Sequence, residues 1–390
     1  MRIVIDCRAL SAPGGELAGV GHYVRHLVTH LLRQDETHHW TLVFDDRATS
    51  PLVHGIMGSN PRAQAVSVPL CRWKRALPYV YSHYLAASAF ARSRSDVTHF
   101  TSGSLPLGFH GQSVVTVHDL AIYEHPEWFP GGQFFSRRFV VPTSLERATR
   151  IIAVSETTKR DVIARFGTDP NKIDVVYGGV EHQAFPAGSA EVLKQYGLKR
   201  PYLLFLGTLE PRKNIESIVR AYVALAQRFP KLVMDVDLVI AGGSGWKSDG
   251  LRRLIAETDR AFGTSGPRIR TLGYVSAVDK PSLLSQALVF IFPSLYEGFG
   301  LPPLEAMSFG VPVVASNRGA LVEVVGHAGV LVDPLDVAEL TLALKRLLED
   351  PAKRAEWGAK ALLRSQKFSW EQAAVETLEV YKRTARQGRP

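Results

Sequence analysis

Cysteine is scarce in this chain: Cys7 and Cys71 are the only two among 390 residues, and no recognisable motif surrounds either. Disulfide-stabilised folds and cysteine-bound zinc sites need several cysteines at defined spacings, so this scarcity argues against both. A chain that uses so little cysteine suits a reducing compartment. We therefore expect a cytoplasmic protein.

Long apolar runs are missing as well. No stretch reaches the roughly 18 uncharged apolar residues that a membrane-spanning helix requires. The N-terminal segment MRIVIDCRAL carries charges at Arg2, Asp6 and Arg8, which makes it a predicted first strand and not a signal peptide.

Acidic residues are outnumbered by basic ones, 37 to 46, which gives a formal net charge of +9 and a pI of about 9.5. A basic surface favours an anionic partner such as a nucleotide, a nucleic acid or an anionic lipid, but an inert basic surface fits the same numbers. The hydrophobic fraction of 46% and the charged fraction of 21% are ordinary for a globular protein. A chain of this length has room for two domains.

Both halves of the chain alternate apolar strand-like runs with helical stretches. In the first half, strands are predicted at 3–5, 40–44, 97–100, 113–117, 150–154 and 175–177, with helices at 22–33 and 156–166. In the second half, strands are predicted at 202–206, 237–241, 268–272, 289–292 and 313–315, with a helix at 214–228. Continuous apolar runs are typical of strands buried on both faces, and their alternation with helices indicates parallel sheets.

The predicted fold class is therefore α/β, with two domains. We place the first domain at 1–185, the second at 195–369 and a polar linker within 182–200, and we expect a C-terminal helix at 370–390 to pack across both domains. Parallel sheets of this kind bind ligands at the carboxyl ends of their strands. With two domains, the expected site is the cleft between them.

The segment EGFGLPPLE, residues 297–305, follows a predicted strand and precedes a predicted helix that begins near Pro302. Three backbone amides lie just before that helix, those of Phe299, Gly300 and Leu301. A helix N-terminus binds anions through such amides and through its dipole, so this layout predicts a phosphate site. Gly298 and Gly300 leave space for close approach of the backbone to a ligand.

Two carboxylates flank the predicted phosphate site. Glu297 lies on the loop, and Glu305 is predicted to lie in the first turn of the helix. A glycosidase pair faces one bond across about 5–10 Å, whereas here a phosphate site separates the acids. We therefore expect each acid to bind a different sugar: one the transferred hexose, the other the ribose of a nucleotide. The alternative is an acid that merely stabilises a helix start, with Glu297 in a solvated turn.

Arg212 and Lys213 follow the first predicted strand of the second half. Two adjacent cations at a strand end can neutralise a diphosphate as its glycosyl bond breaks. They could also be two solvated charges at a helix start, but cations there oppose the helix dipole, which favours a role in binding a ligand.

In the first half, His118 lies at the end of a predicted strand, next to Asp119. The ring of His118 could hydrogen-bond a sugar hydroxyl or a leaving oxygen. The alternative is that this histidine has a purely structural role. Gly21, in a glycine-rich loop predicted at 14–21, could approach the same diphosphate from the first domain. That stretch fails as a dinucleotide fingerprint because position 24 is Val24, which argues against an NAD oxidoreductase.

EGFGLPPLEA resembles the acid-x7-acid signature of retaining glycosyltransferases of family 4. Six further pieces match in order and spacing: GVGHY (19–23), VHDL (117–120), VSE (154–156), GTLEPRKN (207–214), AGG (241–243) and LGYV (272–275). The resemblance covers nearly the whole chain. It implies the GT-B fold, in which two Rossmann-like domains face each other across a cleft, the first on the acceptor side and the second binding the nucleotide sugar.

The resemblance also implies roles. His118 would contact the donor hexose, Glu297 the same sugar and Glu305 the ribose, while Lys213 would bind the diphosphate. Many members carry an arginine directly after the glycine where this chain has Thr208, so Arg212 is taken as its substitute. No covalent nucleophile and no metal cluster stand out, which favours a metal-independent front-face displacement.

Within the family, GTLEPRKN and VHDL are most similar to bacterial mannosyltransferases of polysaccharide assembly. This similarity predicts GDP-mannose as the donor, a lipid-linked saccharide as the acceptor and no nucleic-acid partner. The alternatives are a UDP-, ADP- or dTDP-hexose donor, a sugar-nucleotide epimerase of the same fold, and a binder of sugar nucleotides without catalysis.

The span 51–100 contains six basic residues and one acid, Asp96; the basic residues are Arg62, Arg72, Lys74, Arg75, Arg92 and Arg94. Aromatic residues follow at 79 and 81. Such a stretch can rest on an anionic membrane surface, which would place the enzyme at the inner face of the cell membrane. A solvated basic helix with core aromatics explains it equally well.

Overall fold

A computed structural model of the chain describes residues 1–11, 19–45, 55–58, 60–68, 76–131, 134–182, 185–263 and 266–387. The chain divides into two compact units. The first is formed by Met1–Glu124, Gly131–Gly179 and Ser369–Pro390, and the second by His125–Pro130 and Val180–Phe368. The predicted linker, 182–200, lies within the second unit, and Ser189–Gln195 there is a helix.

The first unit is built on a seven-stranded parallel sheet. Its strands are β1 Arg2–Asp6, β2 His39–Phe44, β3 Ala63–Ser67, β4 Val97–Phe100, β5 Ser113–Val117, β6 Arg150–Ala153 and β7 Ile173–Val175. Their order is β3-β2-β1-β4-β5-β6-β7. All but β3 and β7 are buried along most of their length, as predicted for strands covered by helices on both faces.

The second unit is built on a six-stranded parallel sheet. Its strands are β8 Tyr202–Leu206, β9 Asp237–Ala241, β10 Ile269–Gly273, β11 Val289–Phe292, β12 Val313–Ser316 and β13 Val330–Val332. Their order is β10-β9-β8-β11-β12-β13. Both sheets therefore have the Rossmann-like strand order, and the predicted α/β class with two parallel sheets is confirmed.

Helices cover the sheets. In the first unit they are Gly19–Gln34, Pro78–Val80, Ala86–Arg92, Ala121–Glu124, Val141–Arg147, Glu156–Phe166 and Trp370–Gln387, with π-helical turns at Tyr81–Leu85 and Ser136–Val140. In the second unit they are Ser189–Gln195, Ile215–Arg228, Pro230–Val233, Asp249–Phe262, Lys280–Ser285, Leu301–Ser308, Leu321–Val324, Val337–Glu349 and Pro351–Ser365. Within the part of the chain that the structure describes, no helix has both the length and the apolar character that a membrane crossing requires.

Three sequence-based assignments need correction. β3 and β13 were not predicted, because β3 is largely exposed and β13 spans only three residues, so neither presents a long apolar run. The predicted strand 175–177 lies two residues earlier, in β7. Gly19 and Gly21 belong to the first turn of a helix and not to a loop; Gly14 and Gly15 lie outside the described residues.

The C-terminal helix Trp370–Gln387 belongs to the first unit. The Trp370 ring is stacked on His26 with centroids 5.4 Å apart, and it meets Tyr23 edge-on at 5.6 Å. Further along the helix, the Tyr381 hydroxyl lies 2.6 Å from Nδ1 of His99, a residue of β4. These contacts attach the end of the chain to the sheet of the first unit.

His99 is fully buried at the centre of that sheet. Its Nε2 lies 2.7 Å from Thr116 Oγ1, so both ring nitrogens have hydrogen-bonding partners. Burial lowers the pKa of His99 from 6.5 to about 3, and repulsion from His118 adds to the effect. The ring therefore stays neutral in the folded protein at any ordinary pH.

We expect this histidine to make the protein less stable in mild acid. Below pH 6.5 the unfolded chain protonates His99 while the folded chain does not, so acid favours unfolding until about pH 3. Its contribution should lower the free energy of unfolding by about 1.4 kcal/mol per pH unit in that window. Thermal unfolding between about pH 7.5 and about pH 5.5 measures the effect. A His99→Phe variant should start less stable but lose less on acidification; an equal pH slope would contradict the assignment.

Candidate active site

A buried ion pair joins the loops that follow β8 and β11. Lys213 Nζ lies 2.5 Å from Glu297 Oε1, and both side chains are almost completely buried. Ser294 Oγ donates to the same carboxylate oxygen at 2.6 Å. The ammonium group also lies 5.0 Å from the centroid of the Phe292 ring, whose face attracts cations. Two residues 84 positions apart thus form one charged cluster.

Arg212 extends this cluster. Its Nε donates to Glu210 Oε1 at 2.5 Å, and its Nη1 lies 3.6 Å from Glu297 Oε2. Two cations and two carboxylates therefore share a small volume. Because Glu297 faces both cations, its carboxylate fixes the position of the positive charge at this edge of the sheet.

Backbone contacts hold the two loops together. The Leu295 amide donates to the Arg212 carbonyl oxygen at 2.7 Å, and Ser294 Oγ lies 3.0 Å from the same oxygen. Asn214, which ends the turn, has a φ of +53°, a conformation that asparagine tolerates better than most residues. Its amide Nδ2 donates to the carbonyl oxygens of Pro293 at 3.2 Å and Pro334 at 2.7 Å. The cluster is therefore positioned by the backbone as well as by its own charges.

Charge balance sets the protonation of the pair. Burial alone would raise the pKa of Glu297, but the charges of Lys213 and Arg212, with hydrogen bonds from Lys213 and Ser294, hold it below its ordinary value. Burial lowers the pKa of Lys213, as does repulsion from Arg212, while Glu297 opposes both effects. Glu297 is thus an anion near neutral pH, and it stabilises the buried ammonium.

The cluster lies where the order of the second sheet reverses. From β8 the chain continues to β9 and β10 on one side and then crosses to β11 on the other. Ligands of such sheets bind outside the carboxyl ends of the strands at this reversal. The site therefore lies where the fold alone predicts one.

Gly300 connects Glu297 to the following helix. Its φ is +105°, a backbone conformation that requires glycine, and a Cβ atom here would also push against Leu321 Cδ2 at 2.7 Å. The helix begins at Leu301, one residue before the predicted start. Because Pro302 and Pro303 carry no amide hydrogen, the donors of this turn come from the residues before them.

The prediction for Glu305 was partly wrong. Since the helix is Leu301–Ser308, Glu305 is its fifth residue and lies in the second turn, not the first. Its carboxylate is hydrogen-bonded by Lys280 Nζ, at the start of the helix Lys280–Ser285. The two acids of the signature are therefore each paired with a different cation. Their assignment to two different sugars stays a prediction.

Three glycines bring the carboxyl ends of neighbouring strands together. The Gly207 amide, just after β8, donates to the Ala241 carbonyl oxygen at 2.9 Å. The Gly242 amide, just after β9, donates to the carbonyl oxygen of Gly273, the last residue of β10, at 2.7 Å. A Cβ atom on Gly242 would lie 1.9 Å from the Gly207 carbonyl oxygen. GT, AGG and LGYV are thus strand ends, as the sequence predicts, and they form a closely packed backbone surface beside the cluster.

The first unit contains the other two predicted site residues. His118 follows β5, and its Nε2 lies 2.7 Å from the Thr101 carbonyl oxygen, so the proton is on Nε2. Burial lowers the pKa of His118, although the Thr101 bond and Asp119 oppose the effect, so the ring is neutral near neutral pH. Its Nδ1 is then the nitrogen with acceptor character. Gly21 is buried in the helix Gly19–Gln34.

The structure brings Arg212, Lys213 and Glu297 into contact and places Gly298, Phe299, Gly300 and Leu301 directly after them. The Phe299 side chain is buried against Phe368 at 5.9 Å, so only its backbone suits a ligand. Their roles in binding and catalysis remain predictions.

Sequence reasoning missed three residues, namely Glu210, Lys280 and Ser294. Glu210 and Ser294 contact the cluster only through the fold, and no local pattern distinguishes them. For Lys280 one signal existed, a lysine at the start of a helix, where a cation is unfavourable.

Comparison with known proteins gives consistent results for both units. The sequence profile described as "Glycosyltransferase Family 4" matches residues 17–184, and that described as "Glycosyl transferases group 1" matches residues 191–364. The chain is 37% identical to O-antigen chain mannosyltransferase B of Escherichia coli over 275 residues, 70% of each protein.

Two further proteins are similar. The serotype-specific mannosyltransferase WbdA of Escherichia coli is 31% identical over 282 residues, which are 70% of this chain but only 33% of that longer protein. Among solved structures, Anabaena HepE in complex with UDP and glucose superposes with a TM-score of 0.74 at 20% identity, over 98% of this chain and 100% of that one. This last likeness concerns the fold.

Proposed function

Because this chain belongs to glycosyltransferase family 4, we propose that it transfers mannose from GDP-mannose to a saccharide acceptor, with retention of anomeric configuration. It is a glycosyltransferase with the GT-B fold, and the family resemblance of the sequence is confirmed. Mannose is the best-supported hexose, since the relatives described above are named as mannosyltransferases. The same names support a role in the assembly of a cell-surface polysaccharide.

The main support for a nucleotide diphosphate sugar as the donor is the buried cluster of Arg212, Lys213 and Glu297, which lies where the strand order of the second sheet reverses. A nucleotide diphosphate sugar brings two negative charges, and more charge develops on the diphosphate as its bond to the sugar breaks. Preorganised cations stabilise such charge more strongly inside a protein than in water. Lys213 and Arg212 would supply this stabilisation without a metal ion.

Glu297 has a second function in this proposal. Its carboxylate holds Lys213 in place and accepts hydrogen bonds from hydroxyl groups of the transferred hexose. The amides of Phe299, Gly300 and Leu301 bind the phosphate, and Glu305 binds the ribose, with Lys280 fixing its carboxylate. His118 is assigned to the hexose, with its Nδ1 as the acceptor.

The proposed reaction is a front-face displacement. The bond between the anomeric carbon and the diphosphate oxygen breaks, and the acceptor hydroxyl oxygen forms a bond to the same face of that carbon. The acceptor proton passes to the departing diphosphate oxygen. This pathway needs charge stabilisation and positioning rather than a nucleophilic side chain. The acceptor proposed here is lipid-linked, which would keep the enzyme at the inner face of the cell membrane.

We expect thermal unfolding to identify the donor. A ligand that binds only the folded chain stabilises it by about 2.7 kcal/mol at a hundred times its Kd, so the correct nucleotide sugar should raise Tm by several degrees. The panel comprises GDP-mannose and the UDP-, ADP- and dTDP-hexoses. The largest shift should come from GDP-mannose; a larger shift with another nucleotide would overturn the assigned donor.

The purified protein also serves to test the alternative that it is a sugar-nucleotide epimerase. The donor is incubated alone and the sugar nucleotide is then analysed by chromatography. An epimerised product without acceptor would contradict transfer as the main activity. Stabilisation by a donor with neither epimerisation nor transfer would indicate a binding protein.

A further inference from the structure

Three histidines form a row on the helix Gly19–Gln34 of the first unit. His22, His26 and His30 are spaced by four residues, which places their side chains on one face of the helix. The centroids of the His22 and His26 rings lie 4.3 Å apart. His26 and His30 each offer a ring nitrogen, and these two nitrogens lie within 4.8 Å of each other. Two histidines with this spacing on one helical face can bind the same metal ion.

The C-terminal helix Trp370–Gln387 packs against this row. The Trp370 ring is stacked on His26 and also lies near His22, with ring centroids 6.3 Å apart. Stacking restricts the rotation of the His26 ring without using either of its nitrogens. The next residue of the helix, Glu371, places its carboxylate oxygen Oε1 3.3 Å from Nδ1 of His30. A third group that binds metal ions therefore lies beside the two histidines.

The spacing of these groups suits zinc. Zinc binds imidazole nitrogens at about 2.0–2.1 Å and carboxylate oxygens at about 2.0–2.2 Å, so two ligand atoms of a tetrahedral site lie about 3.4 Å apart. The 3.3 Å between His30 Nδ1 and Glu371 Oε1 agrees with this separation. A modest rotation of the histidine side chains closes the remaining gap between their nitrogens, and the Glu371 side chain, which is 62% exposed, has room to turn toward an ion.

From these positions we infer that His26, His30 and Glu371 bind one zinc ion, with a water molecule as the fourth ligand. Two imidazoles and one carboxylate form a ligand set that zinc accepts, whereas Mg²⁺ and Ca²⁺ prefer oxygen ligands. The three residues belong to two helices that come from opposite ends of the chain. A zinc ion here would therefore link these helices and stabilise the folded first unit.

The zinc site is separate from the proposed transfer reaction. None of its three protein ligands belongs to the charged cluster of Arg212, Lys213 and Glu297, which lies in the second unit. The ion would thus have a structural role, and the proposed reaction would proceed without it.

The sequence drew attention to other residues of the chain. Arg72, Lys74 and Arg75 suggested a membrane contact; they lie outside the described residues, so that contact stays a prediction. The row of histidines was not singled out, because histidines spaced by four residues also occur on an ordinary helix face. Glu371 joins them only after folding.

Isothermal titration calorimetry with zinc chloride tests the inference. The full-length chain, without a histidine tag, is treated with a chelator and dialysed before the titration. The test variants are His26→Gln, His30→Gln and Glu371→Gln. The control is His125→Gln, because His125 also faces a glutamate: its Nδ1 lies 3.0 Å from Glu127 Oε1. No histidine lies four residues from His125 in the sequence, so this pair lacks the second imidazole.

The wild type should bind one zinc ion per chain, and saturating zinc should raise its Tm by several degrees. Loss of either histidine ligand should weaken binding at least about tenfold, and Glu371→Gln should weaken it by about threefold to tenfold. His125→Gln should bind zinc as the wild type does, and an excess of magnesium chloride should not displace the zinc. Because both readouts are independent of transfer, the result stands whether or not the proposed function holds.

The variants differ in how directly they report on the site. Because His30 is buried, its replacement is also expected to lower the stability of the metal-free chain; His26 is only partly buried and Glu371 is exposed, so their variants decide the test. A wild type that binds no zinc, or binds it only as well as His26→Gln does, would overturn the inference. Equal weakening by His125→Gln would show non-specific binding and would overturn it as well. A rise in Tm that Glu371→Gln keeps in full would contradict the link between the two helices.

Discussion

A Lys213→Ala variant is expected to transfer hexose about a thousandfold more slowly than the wild type. Lys213 is buried in the loop that follows β8, and its ammonium group contacts Glu297. A cation in such a position stabilises the diphosphate mainly as its bond to the sugar breaks, so its loss should lower kcat more than it raises KM. Initial rates with radiolabelled donor and a soluble acceptor measure both constants.

The stability of this variant needs separate measurement. Removing one partner of a buried ion pair leaves the other charge buried, which costs about 3–5 kcal/mol when nothing compensates. Here Arg212 and Ser294 still face the Glu297 carboxylate, so the folded state should persist. Lys360→Ala is the matched control, because Lys360 forms an exposed pair with Glu356. Wild-type turnover by folded Lys213→Ala would contradict the assignment to the diphosphate.

A Glu297→Gln variant is expected to lose about a hundredfold to a thousandfold in kcat. The substitution keeps the shape of the side chain but removes the charge that positions Lys213 and Arg212. It also weakens the acceptor that the transferred hexose would use. Because the wild-type carboxylate is already ionised near neutral pH, the loss should be similar across neutral and mildly alkaline pH.

Glu305→Gln provides an internal comparison for this experiment. Its carboxylate pairs with Lys280 and is assigned to the ribose, which does not change in the reaction. That variant should mainly weaken donor binding and raise KM. Glu216→Gln, at an exposed pair with Arg220, is the control and should behave as the wild type. Undiminished kcat in Glu297→Gln would contradict the role in the reaction, and equal kinetic changes in both signature variants would contradict their separate roles.

Hydrophobic periodicity and local motifs predicted the central strands of both sheets. The strands that form the centre of each sheet are buried and rich in apolar residues, and their positions follow from sequence because each must be covered on both faces. The edge strands β3 and β13 were missed since they lack that requirement. The Ser155 cap was predictable as well: its side chain accepts from the Thr158 amide at the start of the helix Glu156–Phe166.

The residue types of the candidate site could be predicted from the sequence, but the contacts between them could not. The sequence by itself determined which residues follow β8 and β11. Glycines, acids and adjacent cations just after buried strands are typical of a ligand-binding site, so they indicated one. Only the tertiary structure decided that Glu297 binds Lys213 and Arg212 while Glu305 binds Lys280.

The physical reason is that these partners lie far apart in the chain and have no common period. Their pairing depends on the crossover that places β11 beside β8 and on the hydrogen bond from the Leu295 amide to the Arg212 carbonyl oxygen. The Tyr79 and Phe135 rings follow the same rule, since their edge-on contact exists only after folding. Local chemistry could thus be predicted from the sequence, whereas the choice of partner for each charge and each ring was made by the fold.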